Sequence, residues 1–190
     1  TNTECEEAAD PNVGAQYQNY CVECLPSYVA DLTHTYYVPV TPKAATKSYL
    51  FSTGGPGGPG GPISTIPSVR GLAFNGVVFD APAPTDRILA AYTLAPFDDA
   101  GGHINLNAGY HYHAATGLST KITQTDGHAA MIGYAMDGYG IFENKDSNGN
   151  EYSDLDALRG HSDSTRGYHY HVDKAGNNNF INGLHGEYVL

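Results

Sequence analysis

One histidine pattern occurs twice in this chain, and it admits only one kind of backbone. Gly102-His103 is followed, after five residues, by Gly109-Tyr110-His111-Tyr112-His113. Gly160-His161 is followed, after five residues, by Gly167-Tyr168-His169-Tyr170-His171. The copies stand 58 residues apart and align without a gap. Tyr-His-Tyr-His has a period of two. In a strand alternate side chains point to opposite faces, so His111 and His113 share one face while Tyr110 and Tyr112 take the other. The same holds for His169 and His171 against Tyr168 and Tyr170. In a helix residues i and i+2 point apart. The pattern therefore predicts strands. One further histidine follows each copy, His128 and then His185, which gives two sets of four and leaves His34 outside. The residues between the copies do not match, so what repeats in the sequence is the spacing of imidazoles, not a visible fold.

Neighbours on one face of a strand are about 7 Å apart at Cα, and imidazoles that close can converge on an ion at about 2.0–2.1 Å. If the two tetrapeptide strands lie side by side, four rings face one spot, with His103 and His161 arriving after turns. Imidazoles crowded together without a cation would protonate near about pH 6.5 and repel one another. His103, His111, His113, His128, His161, His169, His171 and His185 are accordingly the candidate metal ligands. A hydrogen-bonded Tyr/His core is the competing explanation. Tyr110, Tyr112, Tyr168 and Tyr170 flank the ligands but face away, which suits packing with a bonded hydroxyl. Asp126, Asp137 and Glu187 are the carboxylates expected nearest the site.

The rest of the chain reads as a turn-rich β protein, with 23 glycines, 11 prolines and 15 tyrosines. Asn75-Gly76 within Val69–Asp80 and Asp137-Gly138 within Met131–Phe142 predict two hairpins. Thr33–Val40 and Lys47–Ser52 read as strands, and Arg87–Leu94 fits a strand or a helix. Ser153 and Asp156 stand in capping-box spacing ahead of Gly160, which predicts a short helix over Ser153–Arg159. Gly54–Pro62, GGPGGPGGP, reads as a surface loop. The expected organisation is a Cys-containing arm over residues 1–30 and one domain over 31–190. The expected fold is mainly β, a single-domain β-sandwich or barrel-like set of antiparallel sheets with short helical turns.

All three cysteines lie in the arm. Cys5 is expected to form a disulfide with Cys21 or Cys24. Cys21-Val-Glu-Cys24 lacks the second half of a zinc site. Nine basic against 20 acidic residues give a net charge of −11, which argues against nucleic acid as a partner. No run of about 18 apolar residues exists, so no membrane insertion is expected. High acidity, few lysines and many tyrosines point to a secreted, periplasmic or cell-surface protein. No protein partner is legible.

The quoted stretches have a family likeness. Phe74-Asn75-Gly76-Val77, Gly101-Gly102-His103 ahead of the first GYHYH, and His128 with Ile132–Tyr139 (IGYAMDGY) match its pattern, as does Asp154-Leu155-Asp156 ahead of the second YHYH. Over roughly residues 70 to 190 the chain resembles the YHYH-domain family, whose members are mostly secreted or surface-attached and have no settled activity. The resemblance implies ligand roles for His103, His111, His113, His128, His169 and His171. His161 and His185 rest on the repeat alone. Ala100 stands where members tend to carry a cysteine.

All-imidazole ligation suits copper, zinc, nickel or iron. Eight histidines exceed the needs of one zinc and fit two or more ions or a copper protein, so copper is favoured over zinc. The expected function is an extracytoplasmic multi-histidine metal protein, either a copper-dependent oxidoreductase or a metal-capture protein. A zinc-dependent hydrolase is an alternative that lacks a His-Glu-x-x-His motif. Asp146, Asn148, Asn150, Tyr152 and Asp154 resemble a calcium loop, although Glu151 and Ala157 occupy the positions where Gly and Glu are diagnostic. That loop supports another alternative, a structural or adhesive surface module with an internal Tyr/His network steadied by calcium.

Overall fold

A computed structural model describes residues 32–51, 69–84, 97–105 and 108–189. The cysteines, the Gly54–Pro62 segment and Arg87–Leu94 lie outside the described residues. Ten strands follow in chain order: β1 (Ala44–Leu50), β2 (Gly71–Ala73), β3 (Val78–Phe79), β4 (Gly102–Asn105), β5 (Gly109–Tyr112), β6 (Met131–Ala135), β7 (Gly140–Phe142), β8 (Gly160–Asp163), β9 (Gly167–His171) and β10 (Gly183–Gly186). The two Asx-Gly pairs make the turns that join β2 to β3 and β6 to β7, as their sequence predicts. Each GH…GYHYH stretch is a hairpin in which the first histidine faces the second directly, His103 opposite His111 and His161 opposite His169.

Eight strands form one sheet in the order β4-β5-β3-β2-β6-β7-β9-β8, while β1 and β10 pair separately. That order is a palindrome of one unit. Each half contributes an Asx-Gly hairpin and a GYHYH hairpin, and the halves meet where β2 runs antiparallel to β6. Gly71 pairs with Phe79 as Gly133 pairs with Ile141, and Leu72 pairs with Val78 as Tyr134 pairs with Gly140. Phe79 pairs with Tyr112 as Ile141 pairs with Tyr170. The fold is therefore duplicated, which corrects the expectation that only a spacing repeats. The two tetrapeptides do not lie side by side either, since β3, β2, β6 and β7 separate β5 from β9. The β3–β5 and β7–β9 pairs are parallel, so the sheet is mainly, not wholly, antiparallel.

Alternation places the second tyrosine of each tetrapeptide inward, as expected. Tyr112 and Tyr170 join Phe79, Ile132, Ile141, Phe180, Ile181 and Leu184 in one core. Burying each phenol requires a partner for its hydroxyl. Asn75 Nδ2 donates to Tyr112 Oη at 2.9 Å, and Tyr170 Oη donates to Asp137 Oδ2 at 2.5 Å, so the Asx of each turn fills the same role in each half. Tyr110 and Tyr168 donate to Asp98 and Asp156 at 2.6 and 2.8 Å.

Two local expectations fail. Ser153–Arg159 is not a helix but irregular chain with a single turn at Ala157 and Leu158. Asp156 Oδ1 accepts the N–H groups of Leu158 and Gly160, and this side-chain closure competes successfully with a helical turn. Thr33–Val40 is irregular and belongs to no strand. Its β-branched and aromatic residues suit a strand only where a partner edge is available, and β10 pairs with β1 instead. Lys47–Leu50 falls within β1 as expected. The single helical element among the described residues is a 3-10 turn at Ala175–Asn177, and no described helix is long and apolar enough to cross a membrane.

The seam between the halves depends on two glycines. A Cβ on Gly71 would lie 2.3 Å from the Tyr134 carbonyl oxygen, and one on Gly133 would lie 2.1 Å from the Leu72 carbonyl oxygen. Both neighbours are backbone and cannot yield without parting β2 from β6. Gly133→Ala is expected to cost about 3 kcal/mol or more, whereas Gly176→Ala, where nothing lies within 4 Å, should stay within about 0.5 kcal/mol. Thermal unfolding of the two variants checks this.

Candidate metal centres

Seven imidazoles collect in two places. His103, His111 and His113 form one group, and His128, His161, His169 and His171 form the other, each with its ligand atoms within 4.8 Å of one another. The sequence assigned His128 to the first set and His185 to the second. The structure moves His128 to the second group and leaves His185 out. Residues 114–130 carry the chain from one half to the other, so the histidine that ends this passage arrives beside β9, and chain order misleads. His185 lies in β10 on the tyrosine face, stacked on Tyr168 with ring centroids 3.9 Å apart.

Six of the seven rings are held by their Nδ1 atoms. Nδ1 of His111 and His169 donates to the carbonyl oxygens of Gly109 and Gly167, each at 2.9 Å. Nδ1 of His113 donates to Ala81 at 2.5 Å and that of His171 to Glu143 at 2.8 Å, again equivalent positions of the two halves. His128 donates to the Ala129 carbonyl oxygen at 3.0 Å, and His161 to Asp154 Oδ2 at 2.9 Å. A carbonyl or carboxylate oxygen only accepts, so these six Nδ1 atoms carry the proton and the neutral ring presents a bare lone pair at Nε2.

Those lone pairs point at one another. In the second group Nε2 of His169 is 3.0 Å from that of His128 and 2.9 Å from that of His161, which is 3.1 Å from that of His171. In the first group Nε2 of His113 and His103 are 3.2 Å apart. Four nitrogens on a tetrahedral ion at about 2.0–2.1 Å would stand about 3.3–3.4 Å apart. The rings thus sit a few tenths of an ångström inside that spacing. A cation relieves the repulsion. Protons do so poorly here, because burial above all, then neighbouring imidazoles, pushes His113 and His171 down to about 3, and burial pushes His169 down to about 4. The donor set and its tautomers fit a transition-metal ion in each group.

Surrounding residues differ from expectation. Asp126 does stand beside the second group: it accepts the His128 N–H at 3.2 Å and pairs with Arg166 at 2.5 Å. Asp137 does not, because it is fully buried on the tyrosine face with Tyr170 and the Gly186 N–H. Glu187 pairs with Lys43 at the surface. The five oxygen-bearing residues of the expected calcium loop do not converge. Asp146 closes its own turn by accepting from Asn148 and Asn150, whereas Tyr152 and Asp154 turn to the histidines. Tyr152 lies over His171 with ring centroids 3.8 Å apart and accepts the Ala129 N–H, and Asp154 orients His161. Asp98 and Asp156 went unnoticed as the residues that pin both hairpins. Their signal was present, since each stands five residues before the GH histidine of its copy.

A family model described as "YHYH protein" matches residues 35–154. The match spans the first tetrapeptide, His128 and the seam strands, and ends before the second tetrapeptide. No curated protein and no solved structure matches the chain.

The buried neutral imidazoles set an acid limit on the chelator-treated protein. Unfolding frees His113, His169 and His171 to bind protons near about pH 6.5, while the folded state resists until about 3 to 4. Their contribution to stability is complete above about pH 6.5 and is lost as pH falls towards about 4. Melting temperature measured from pH 7.5 to 4 should fall steadily over that window, and a flat profile would contradict the burial of neutral rings.

Proposed function

The chain belongs to the YHYH protein family, and we propose that it is an extracytoplasmic protein that holds two transition-metal ions on imidazole, copper ahead of zinc. The observation that carries this is the convergence of the Nε2 lone pairs of His128, His161, His169 and His171 at 2.9–3.1 Å while their Nδ1 atoms are engaged as donors, with a second group of three imidazoles beside it in the duplicated half. An internal Tyr/His network would pair donors with acceptors, and the four rings of the second group instead set acceptor against acceptor. The sheet order supports two separate mononuclear sites, since five strand spacings of about 4.8 Å part β5 from β9 along the sheet.

Copper is preferred on affinity. The groups offer imidazole alone among the described residues, with neither thiolate nor carboxylate in the cluster, so the order of stabilities that peaks at copper governs the choice. Zinc, which accepts the same nitrogen ligands, is the competitor. The extracytoplasmic assignment draws on the acidic, lysine-poor composition and the family resemblance.

Elemental analysis after loading with copper and with zinc should return two ions per chain. His111→Ala and His169→Ala should each leave one, and the double variant none, with the far-ultraviolet spectrum retained. Loaded wild type holding well under one ion would refute the proposal. The carboxylate on His161 raises ligand basicity and fixes its tautomer. Asp154→Asn should therefore weaken one of the two ions about 10–100-fold in competition with a chelator and leave the other unchanged.

A further inference from the structure

Three of the four rings in the second group come from one hairpin, and the fourth comes from elsewhere. His161, His169 and His171 lie on β8 and β9. His128 stands in the loop between the paired residues Ile122 and Met131, outside any strand. Before an ion arrives, four lone pairs at 2.9–3.1 Å repel one another, and a ring on a loop is the one most free to swing away. Glu143 and Ser147 donate backbone N–H groups to the Ala130 and Gly127 carbonyl oxygens at 2.9 and 3.0 Å, and Tyr152 Oη accepts the Ala129 N–H at 3.0 Å. These bonds fasten the loop to the chain that follows β7. None of them reaches the hairpin that carries the other three rings.

Arg166, in the turn between β8 and β9, does reach across. Its backbone N–H and its Nη1 both donate to Asp163, at 2.6 and 2.5 Å, which fixes the guanidinium on the hairpin. Its Nη2 donates to Asp126 Oδ2 at 2.5 Å and its Nε to Gln124 Oε1 at 3.4 Å. The other oxygen of Asp126 accepts the His128 N–H at 3.2 Å. The Arg166 side chain is only 11 % exposed and lies over Phe142, whose ring stands 4.9 Å from that of His128 and 5.0 Å from that of His169. A largely covered guanidinium gripped by two carboxylates is stiffer than an exposed ion pair. The first GYHYH copy has Ala108 and Asn105 at the positions of Arg166 and Asp163, yet its strands pair in the same register. The hairpin therefore does not need Arg166 in order to form. Resting on the metal-binding proposal above, we propose that Arg166 is a positioning residue of the second centre: through Asp126 it holds His128 against the repulsion of the other three rings, so that four nitrogens stand in place before the ion arrives.

The test compares the full chain with Arg166→Met and with Asp126→Ala, which removes a side chain that is 46 % exposed. In zinc competition against a chelator, each variant should hold one ion about 10–100-fold more weakly and the other ion as wild type does. In the chelator-treated chain, hydrogen–deuterium exchange at the His128 amide should quicken in both variants, while the amides of β8 and β9 keep their wild-type rates. A merely structural role would loosen β8 and β9 as well. Unchanged zinc affinity, or exchange that quickens along β8 and β9 or not at all, overturns this proposal and leaves the metal-binding proposal intact. Should Arg166→Met fail to fold, Asp126→Ala decides alone. Wild type that takes up neither zinc nor copper overturns both proposals.

Discussion

Six of the seven rings in the two candidate metal centres are aimed by a hydrogen bond at the far side of the ring. A GYHYH strand alone puts imidazoles on one face but leaves each free to rotate and to choose a tautomer. The carbonyls of Gly109, Gly167, Ala81 and Glu143 remove both freedoms. Two of these acceptors lie two residues back in the same strand, and two lie just past the Asx-Gly hairpin of the same half. The hairpin pairing and the ring orientation are therefore one constraint. β3 must run beside β5, and β7 beside β9, for His113 and His171 to find their acceptors. With the tautomer set, electrostatics follows: the lone pairs converge, burial resists protonation, and a cation becomes the favourable occupant.

The opposite face carries the cohesion. Each tetrapeptide places a tyrosine in the shared core and ties its hydroxyl to the Asx of a turn, so the residue that shapes the turn also satisfies the buried phenol. Asp137 takes a further N–H from Gly186, which joins the second half to β10. Alternation thus divides labour within four residues, with packing on one side and the clustered imidazoles on the other.

The sequence made the tetrapeptide strands, both Asx-Gly hairpins and seven of the eight convergent-ring candidates legible, because period-two patterning and Asx-Gly turns are local signals. What it hid was non-local. The duplication is written in Gly71-x-Ala73-x-Asn75-Gly76 and Gly133-x-Ala135-x-Asp137-Gly138. These stand 62 residues apart where the tetrapeptides stand 58, because the passage from hairpin to tetrapeptide is four residues shorter in the second half. One fixed offset therefore misses them. His128 was misassigned because chain order says nothing about which hairpin a connecting segment reaches. The helix over Ser153–Arg159 was read from a capping pattern whose aspartate closes a turn instead. Tyr152 and Asp154 looked like calcium ligands because oxygen spacing cannot reveal which way a side chain turns.

The connector between the halves has a role beyond joining them. β2 and β6 are inner strands only because each covers the other; apart, either would be an open edge inviting foreign strands. Covalent linkage makes their meeting a first-order event at high local concentration. His128 stands at the end of that linker, just ahead of β6, so an ion captured with His161, His169 and His171 would fasten the end of the linker to the GYHYH hairpin of the second half. Metal supply in the surroundings would then bear on the cohesion of that half and on its resistance to proteases, quite apart from any chemistry at the ion.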